Sequence, residues 1–171
     1  MRGPLAIALS ACVALVAGCA HLTAPSSLST SGGRPVAGGA LDLSGRRVAL
    51  ETLRGKVVLL DFFATWCEPC KKGLPVTQAL VEANQGRGLV GWAVSLDDQL
   101  ALVPPFVAEL KLRLPAFFDD GGTLADELGV EKLPTAVLLD RRGAVRFVRY
   151  GSAEESEAEV ARALEQLLRE K

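Results

Sequence analysis

Histidine is almost missing from this chain: the single one, His21, sits near the start of 171 residues. A structural zinc takes four ligands, and Cys67 and Cys70 are the only close pair of soft donors, far from His21. Ligand supply therefore argues against a metal site, and no cofactor is expected. Charge of one sign is also lacking. Nineteen Lys and Arg stand against 20 Asp and Glu, for a formal charge of −1. With neither a basic run nor an aromatic–basic stripe, nothing points to nucleic acid. No internal repeat is visible. The longest apolar run, Leu5 to Ala17, is too short for a stable membrane span. Length is limited as well: an export signal and a linker leave room for one compact domain, expected to be a monomer. What is plentiful is apolar side chain, 49% of the whole, enough Val, Leu and Phe beyond Leu41 to build a core without metal or disulfide scaffolding.

The N-terminus has the layout of a secretory signal, with one positive charge at Arg2 followed by the apolar run. Its end, Val16-Ala17-Gly18-Cys19, resembles the bacterial lipobox, which implies cleavage after residue 18 and lipidation of Cys19. Cysteine accounting points the same way, because a spare thiol on an exported chain with a reactive pair invites mispairing, and thioether attachment removes it. Several acyl chains would then hold the protein to a lipid bilayer, each buried methylene contributing about 0.8 kcal/mol. Ala20 stands where Asp would resemble an inner-membrane retention signal, so the expected location is periplasmic or otherwise extracytoplasmic, lipid-anchored, at the outer membrane where the cell has one. From Ala20 to Ala40 the composition turns to Ser, Thr, Gly, Pro and Ala, which cannot bury enough apolar surface to order itself. Residues 1–18 are thus read as signal peptide, 19–40 as a flexible linker that includes His21, and 41–171 as the domain.

In the domain, Leu41 to Leu50 alternates around a Ser44-Gly45 turn and reads as a hairpin. Val57 to Phe63 is a continuous apolar run of strand length, the mark of a central strand covered on both faces. It leads into Cys67, after which Glu68 to Asn84 reads as a helix kinked at Pro75. Gly88 to Leu96 is a second buried strand, Pro104-Pro105 starts a helix with Phe106 to Leu112 as its body, and Ala116 to Phe118 is a short strand. Thr123 to Leu128 forms a short helix ended by Gly129. Thr135 to Asp140 and Ala144 to Tyr150 form a hairpin, and Glu154 to Arg169 a last helix whose charges suit its dipole. This order of elements predicts an α/β fold, a mixed sheet with helices on both faces.

The run Leu53-Arg-Gly-Lys-Val-Val-Leu-Leu-Asp-Phe-Phe-Ala-Thr-Trp-Cys-Glu-Pro-Cys70, with Gly129-Val-Glu-Lys-Leu-Pro-Thr135 and a hairpin further on, resembles the TlpA/ResA branch of the thioredoxin superfamily. The resemblance spans Leu41 to Lys171. It implies a thioredoxin-like fold with an added N-terminal β-hairpin and a βα insertion, to which 41–50 and 97–118 correspond. It also implies a thiol–disulfide oxidoreductase acting outside the cytoplasm on protein thiols or disulfides. A reducing member would draw electrons from a membrane thiol carrier, and cytochrome c maturation is among the branch's processes.

A free cysteine of pKa about 8.5 supplies little thiolate near neutrality, whereas one at a helix N-terminus ionises more readily. Cys67 holds that place and is expected to be the exposed nucleophile, with Cys70, a turn on and more buried, resolving the mixed disulfide. Pro69 stiffens the first turn, where a missing N–H costs nothing, and Trp66 is expected to cover one side of the pair. Glu68 beside Cys67 opposes thiolate formation, which favours a reducing couple. The resemblance assigns proton exchange with the resolving thiol to Asp61, although no lysine in 88–96 is present to serve as its usual partner. It reads Leu133-Pro134 as a cis-proline loop facing an extended substrate. Gly73 stands where the branch often has glutamate. Two alternatives remain at this level: a peroxiredoxin-like peroxidase, whose cysteine normally follows Pro-x-x-x-Thr-x-x-Cys whereas Ala64 stands here at the Thr position, and a non-enzymatic binding module on the same scaffold.

Overall fold

The structure is a computed structural model that describes residues 33–151 and 153–170. The signal peptide, Cys19 and His21 lie outside the described residues. Among those described, no helix is long and apolar enough to cross a membrane.

Strand β3 (Val57–Phe63) organises the rest, with all seven of its residues buried. Its β-branched and aromatic side chains alternate between two apolar layers, so both faces must be covered. On one edge it pairs in parallel with β4 (Leu89–Ser95), and on the other it runs antiparallel to β6 (Thr135–Leu139). The hairpin of β1 (Gly39–Asp42) and β2 (Arg47–Ala49) joins through β5 (Ala116–Phe118), and β7 (Val145–Tyr150) closes the far edge. The mixed sheet reads β2-β1-β5-β4-β3-β6-β7.

One face of the sheet carries helices α1 (Glu68–Asn84), α2 (Val103–Glu109) and α4 (Ala153–Arg169), whose Leu74, Phe106 and Leu164 share a core with Leu59, Phe63 and Leu138. The other face is covered by α3 (Thr123–Leu128) and the N-terminal segment, through Leu124, Val36 and Leu50 against Leu60, Phe62 and Val137. Trp92 belongs to this second core, stacked on Phe117. Arg146, buried on β7, grips Glu170 at 2.6 and 3.0 Å and anchors the end of α4 to the β6–β7 hairpin.

The expected thioredoxin-like fold, with its hairpin and βα insertion, is the fold observed, and element identities follow the sequence pattern throughout. Two boundaries differ by more than one residue. The folded segment begins before Leu41: Val36 donates to Gly143 O at 2.9 Å, Pro35 bridges to Ala144, and Val36 and Ala40 are buried. Small residues made this stretch look like linker, but Gly39 is required there, since a Cβ would come 2.4 Å from the carbonyl oxygen of Val48. Helix α2 ends at Glu109, short of Leu112, because Lys111 turns left-handed at φ 52°.

Gly91 on β4 tests how closely α1 lies on the sheet. A Cβ there would come 2.5 Å from Val81 Cγ2 and 2.8 Å from Leu114 Cδ1. Gly91→Ala is expected to cost about 1–3 kcal/mol in urea unfolding through overpacking. Adding Val81→Ala should recover part of that loss, and no recovery would show that the cost arises elsewhere.

Candidate active site

Strand β3 ends at Phe63, and four residues later Cys67 occupies the N-cap of α1 in extended conformation, φ −85° and ψ 98°. Cys67 O accepts from Cys70 N at 3.1 Å and Lys71 N at 3.3 Å, closing the first turn. That turn brings the two Cα atoms to 5.2 Å, and the cysteines are joined as a disulfide. Pro69 lies in the first turn, where the absent N–H leaves no bond unmade. The helix's N-terminal amides concentrate positive potential at Cys67.

Both sulfur residues are less accessible than expected. Cys67 is 5% exposed and Cys70 1%, and both belong to the α1/α4 core. Cys67 is thus the more reachable of the two but is not an exposed residue, because the disulfide folds its sulfur against the helix. Trp66, by contrast, stands in solvent at 71% exposure. Glu68 is not a lone carboxylate: Lys71, one turn on, donates to it at 2.7 Å and holds it below the usual carboxylate range, while Lys71 itself is raised. Seen from Cys67 the pair is nearly neutral, so the expected opposition of Glu68 to a thiolate is offset by its own helix neighbour.

Asp61 is buried in β3 and faces α1, where Thr77 donates to its Oδ2 at 2.5 Å. Thr77 stands on the buried face of α1 that also carries Cys70 and Leu74. Burial lifts the Asp61 carboxyl to about 6; the Thr77 hydroxyl and the charge of Arg149 pull it back only in part. Arg149 lies on β7 and is itself buried, and its charge acts on Asp61 where residues 88–96 carry no lysine.

Leu133–Pro134 is a cis peptide bond. Thr135, the next residue, pairs with Phe62, which sets this loop beside the end of β3 from which the chain runs to Cys67. Leu133 packs against both cores, and Pro134 O accepts from Gly151 N at 3.0 Å. Gly73 is buried within α1, a turn beyond Cys70; a glutamate here would carry its charge toward the core.

Two residues were not singled out from the sequence. Arg149 reads there as one of two arginines in a strand, with no local sign that it turns inward. Asp97, also buried, accepts from Thr65 N at 3.1 Å, from Thr65 Oγ1 at 2.7 Å and from Ser95 Oγ at 2.7 Å. It pins the approach to Cys67 from the neighbouring strand, and Ser95-Leu96-Asp97 at a strand end was the available signal.

The AhpC/TSA family profile matches residues 34–148, which hold the disulfide, Asp61, Asp97 and the cis-proline loop. The chain belongs to the AhpC/TSA family. Among curated members similar to it, the thiol-disulfide oxidoreductase ResA of Bacillus thuringiensis subsp. konkukian is 36% identical over 104 residues, covering 61% of this chain and 60% of the relative. ResA of Bacillus subtilis is 33% identical over 115 residues, covering 67% and 64%. The chain thus aligns with somewhat under two thirds of each relative's length. A solved structure, assigned as the thiol:disulfide interchange protein DsbE of Chlorobium tepidum, superposes with a TM-score of 0.75 at 27% identity, over 80% of this chain and 96% of that one. The resemblance to ResA-type proteins read from the cysteine motif therefore extends over the fold.

Asp61 makes stability depend on pH in a definite direction. Its folded value, about 6, lies above its unfolded one, so between about pH 4 and 6 the folded chain keeps a proton that the unfolded chain has lost. This contribution therefore falls as pH rises through that window and is fully unfavourable above it. Asp61→Asn removes the cost, which two pKa units set at up to about 3 kcal/mol. The gain of the variant over wild type in urea unfolding of the oxidised protein should grow from pH 4 to 6.5 and then level off. A gain that does not change with pH would contradict this assignment.

Proposed function

We propose that this chain is an extracytoplasmic thiol–disulfide oxidoreductase that reduces disulfides in protein substrates through Cys67 and Cys70. The observation that carries this reading is the Cys67–Cys70 disulfide at the N-terminus of α1, with a cis-proline loop beside the end of β3 and a buried acid on the strand leading to it. In the reduced state the Cys67 thiolate attacks one sulfur of a substrate disulfide. A mixed disulfide forms and the substrate's other sulfur leaves as thiolate. Cys70 then passes its proton to Asp61, attacks the Cys67 sulfur and releases the second substrate sulfur, leaving the enzyme oxidised and the substrate a dithiol. A membrane thiol carrier returns two electrons. The cis bond at Pro134 turns the backbone groups of Leu133 toward an extended substrate segment, and Trp66 offers exposed apolar surface at the rim.

Support for the reducing direction comes from burial. Both cysteines lie in an apolar core, where a thiolate is penalised, so the reduced form lacks the thiolate stabilisation that makes a couple oxidising. Lipid attachment at Cys19 would hold the domain at the outer membrane through a linker, near exported clients such as apocytochrome cysteines. The peroxidase alternative lacks the usual threonine, since Ala64 occupies that position and is buried.

Cys70→Ser expressed in the native cell is expected to accumulate mixed disulfides at Cys67 that dithiothreitol releases, and Cys67→Ser none. Equilibration with glutathione should give a potential nearer about −270 mV than −120 mV, and a value above roughly −180 mV would overturn the reducing direction. Peroxide consumption without a dithiol substrate would favour the peroxidase. Client binding that survives both serine variants would favour the binding module.

A further inference from the structure

We infer that Arg149 is a positioning residue for this exchange: one buried guanidinium favours the charged form of the Asp61 carboxyl against its burial and, through Gly151, ties it to the cis-proline loop. The inference rests on the exchange site proposed above.

The sheet register places the pair. Asp61 is opposite Ala136 on β6, and Ala136 is opposite Arg149 on β7. Residues directly opposite in antiparallel strands project from the same face, so all three point toward α1 and α4. Arg149 thus starts about 10 Å from Asp61, two strand spacings away. The intervening side chain is a single methyl, which leaves the way across β6 open. A cavity of about 20 Å³, the size of one water, lies at this crossing, lined by Leu59, Thr77, Ala136, Arg149 and Val160 among others.

The direction Arg149 takes is the second observation. β7 is an edge strand, where a long cationic side chain ordinarily reaches out to water. Arg149 instead is 3% exposed. Burial pushes its pKa down while the charges of Asp61 and of Glu159 on α4 act in the opposite direction, and a guanidinium remains protonated at any pH the protein meets. Among the described residues, the charged and titratable groups facing Asp61 are then few. Helix α1 brings the Thr77 hydroxyl and, at its N-terminus, the cysteine pair; β7 brings Arg149, behind which stands Glu159; β4 and β6 bring only Ala93 and Ala136.

The third observation links this charge to substrate. Arg149 Nη1 donates to Gly151 O, while Gly151 N donates to Pro134 O at 3.0 Å. One residue, Gly151, therefore receives the guanidinium on its carbonyl and holds the cis-proline loop with its amide. The proton acceptor proposed for Cys70 and the loop proposed for substrate backbone share a single support.

Two readouts on the full-length protein test this. A carbon-13 titration follows the Asp61 carboxyl in the oxidised state, and stopped-flow thiol release follows resolution of a preformed Cys67 mixed disulfide against pH. Arg149→Met is expected to raise the Asp61 midpoint by about one unit or more and to move the pH profile of resolution by the same amount. In an Asp61→Asn background, Arg149→Met should leave that profile unmoved. Arg149→Lys keeps the charge but not the planar fork, so the carboxyl midpoint should stay in place while amide exchange at Gly151 quickens. An unchanged midpoint in Arg149→Met, or a midpoint moved equally by Lys and Met, would overturn the inference. Should Arg149→Met not fold, Arg149→Lys decides alone: a moved midpoint or unaltered Gly151 exchange overturns it. Absence of any exchange in wild type would instead defeat the proposed function, with the carboxyl titration still deciding the role of Arg149.

Discussion

Burial of β3 on both faces is the constraint from which the site follows. A strand covered by helices on each side cannot slip by one residue without exchanging its two apolar layers, so β3 is held in register with β4 over Val57–Phe63 and with β6 over Val58–Phe62. That rigidity is transmitted to whatever the strand carries. Its end feeds the N-cap of α1, and its neighbour β6 begins directly after the cis-proline. The cysteine pair and the proline loop thereby lie at the same end of this registered strand pair.

The same burial makes every charge near the site expensive, and each one described has a partner. Asp97 is held by Thr65 and Ser95, Glu68 by Lys71, and Asp61 by Thr77 with Arg149 further off. These partners act differently. Lys71 sits in solvent-facing surface, where an ion pair is screened and contributes little. Thr77 offers one hydroxyl to a carboxylate buried away from bulk solvent, which offsets part of the desolvation but not most of it. The residual penalty raises the Asp61 carboxyl to about 6, nearer neutrality than an ordinary carboxyl.

Family membership and chemistry fit together at this level. The family profile runs from before β1 to residue 148, inside β7 and one residue short of Arg149, while the ResA relatives share about a third of their aligned residues with this chain. What the alignment cannot convey is how a given chain balances its buried charges. Here the cation opposite Asp61 comes from the edge strand β7, across a two-strand gap bridged over an alanine.

Periodicity and local chemistry made much of this legible from sequence. The apolar run of β3, the Cys-x-x-Cys opening a helix with proline in its first turn, the glycine ending α3 and the final hairpin depend on neighbours within a few residues, and such preferences act before any tertiary contact exists. The Glu68–Lys71 pair was legible in principle too, since residues three apart share a helix face. Asp97, Arg149 and the early start of the fold at Val36 were not. Each depends on which strand lies beside which and in what register: Asp97 meets Thr65 across 32 residues, and Arg149 turns inward only because Ala136 stands between it and Asp61. The sequence by itself thus determined the elements and the place of the two sulfurs. Tertiary structure alone decided how far those sulfurs are buried and which charges surround them, because desolvation is set by the whole packed layer and not by the residues next in line.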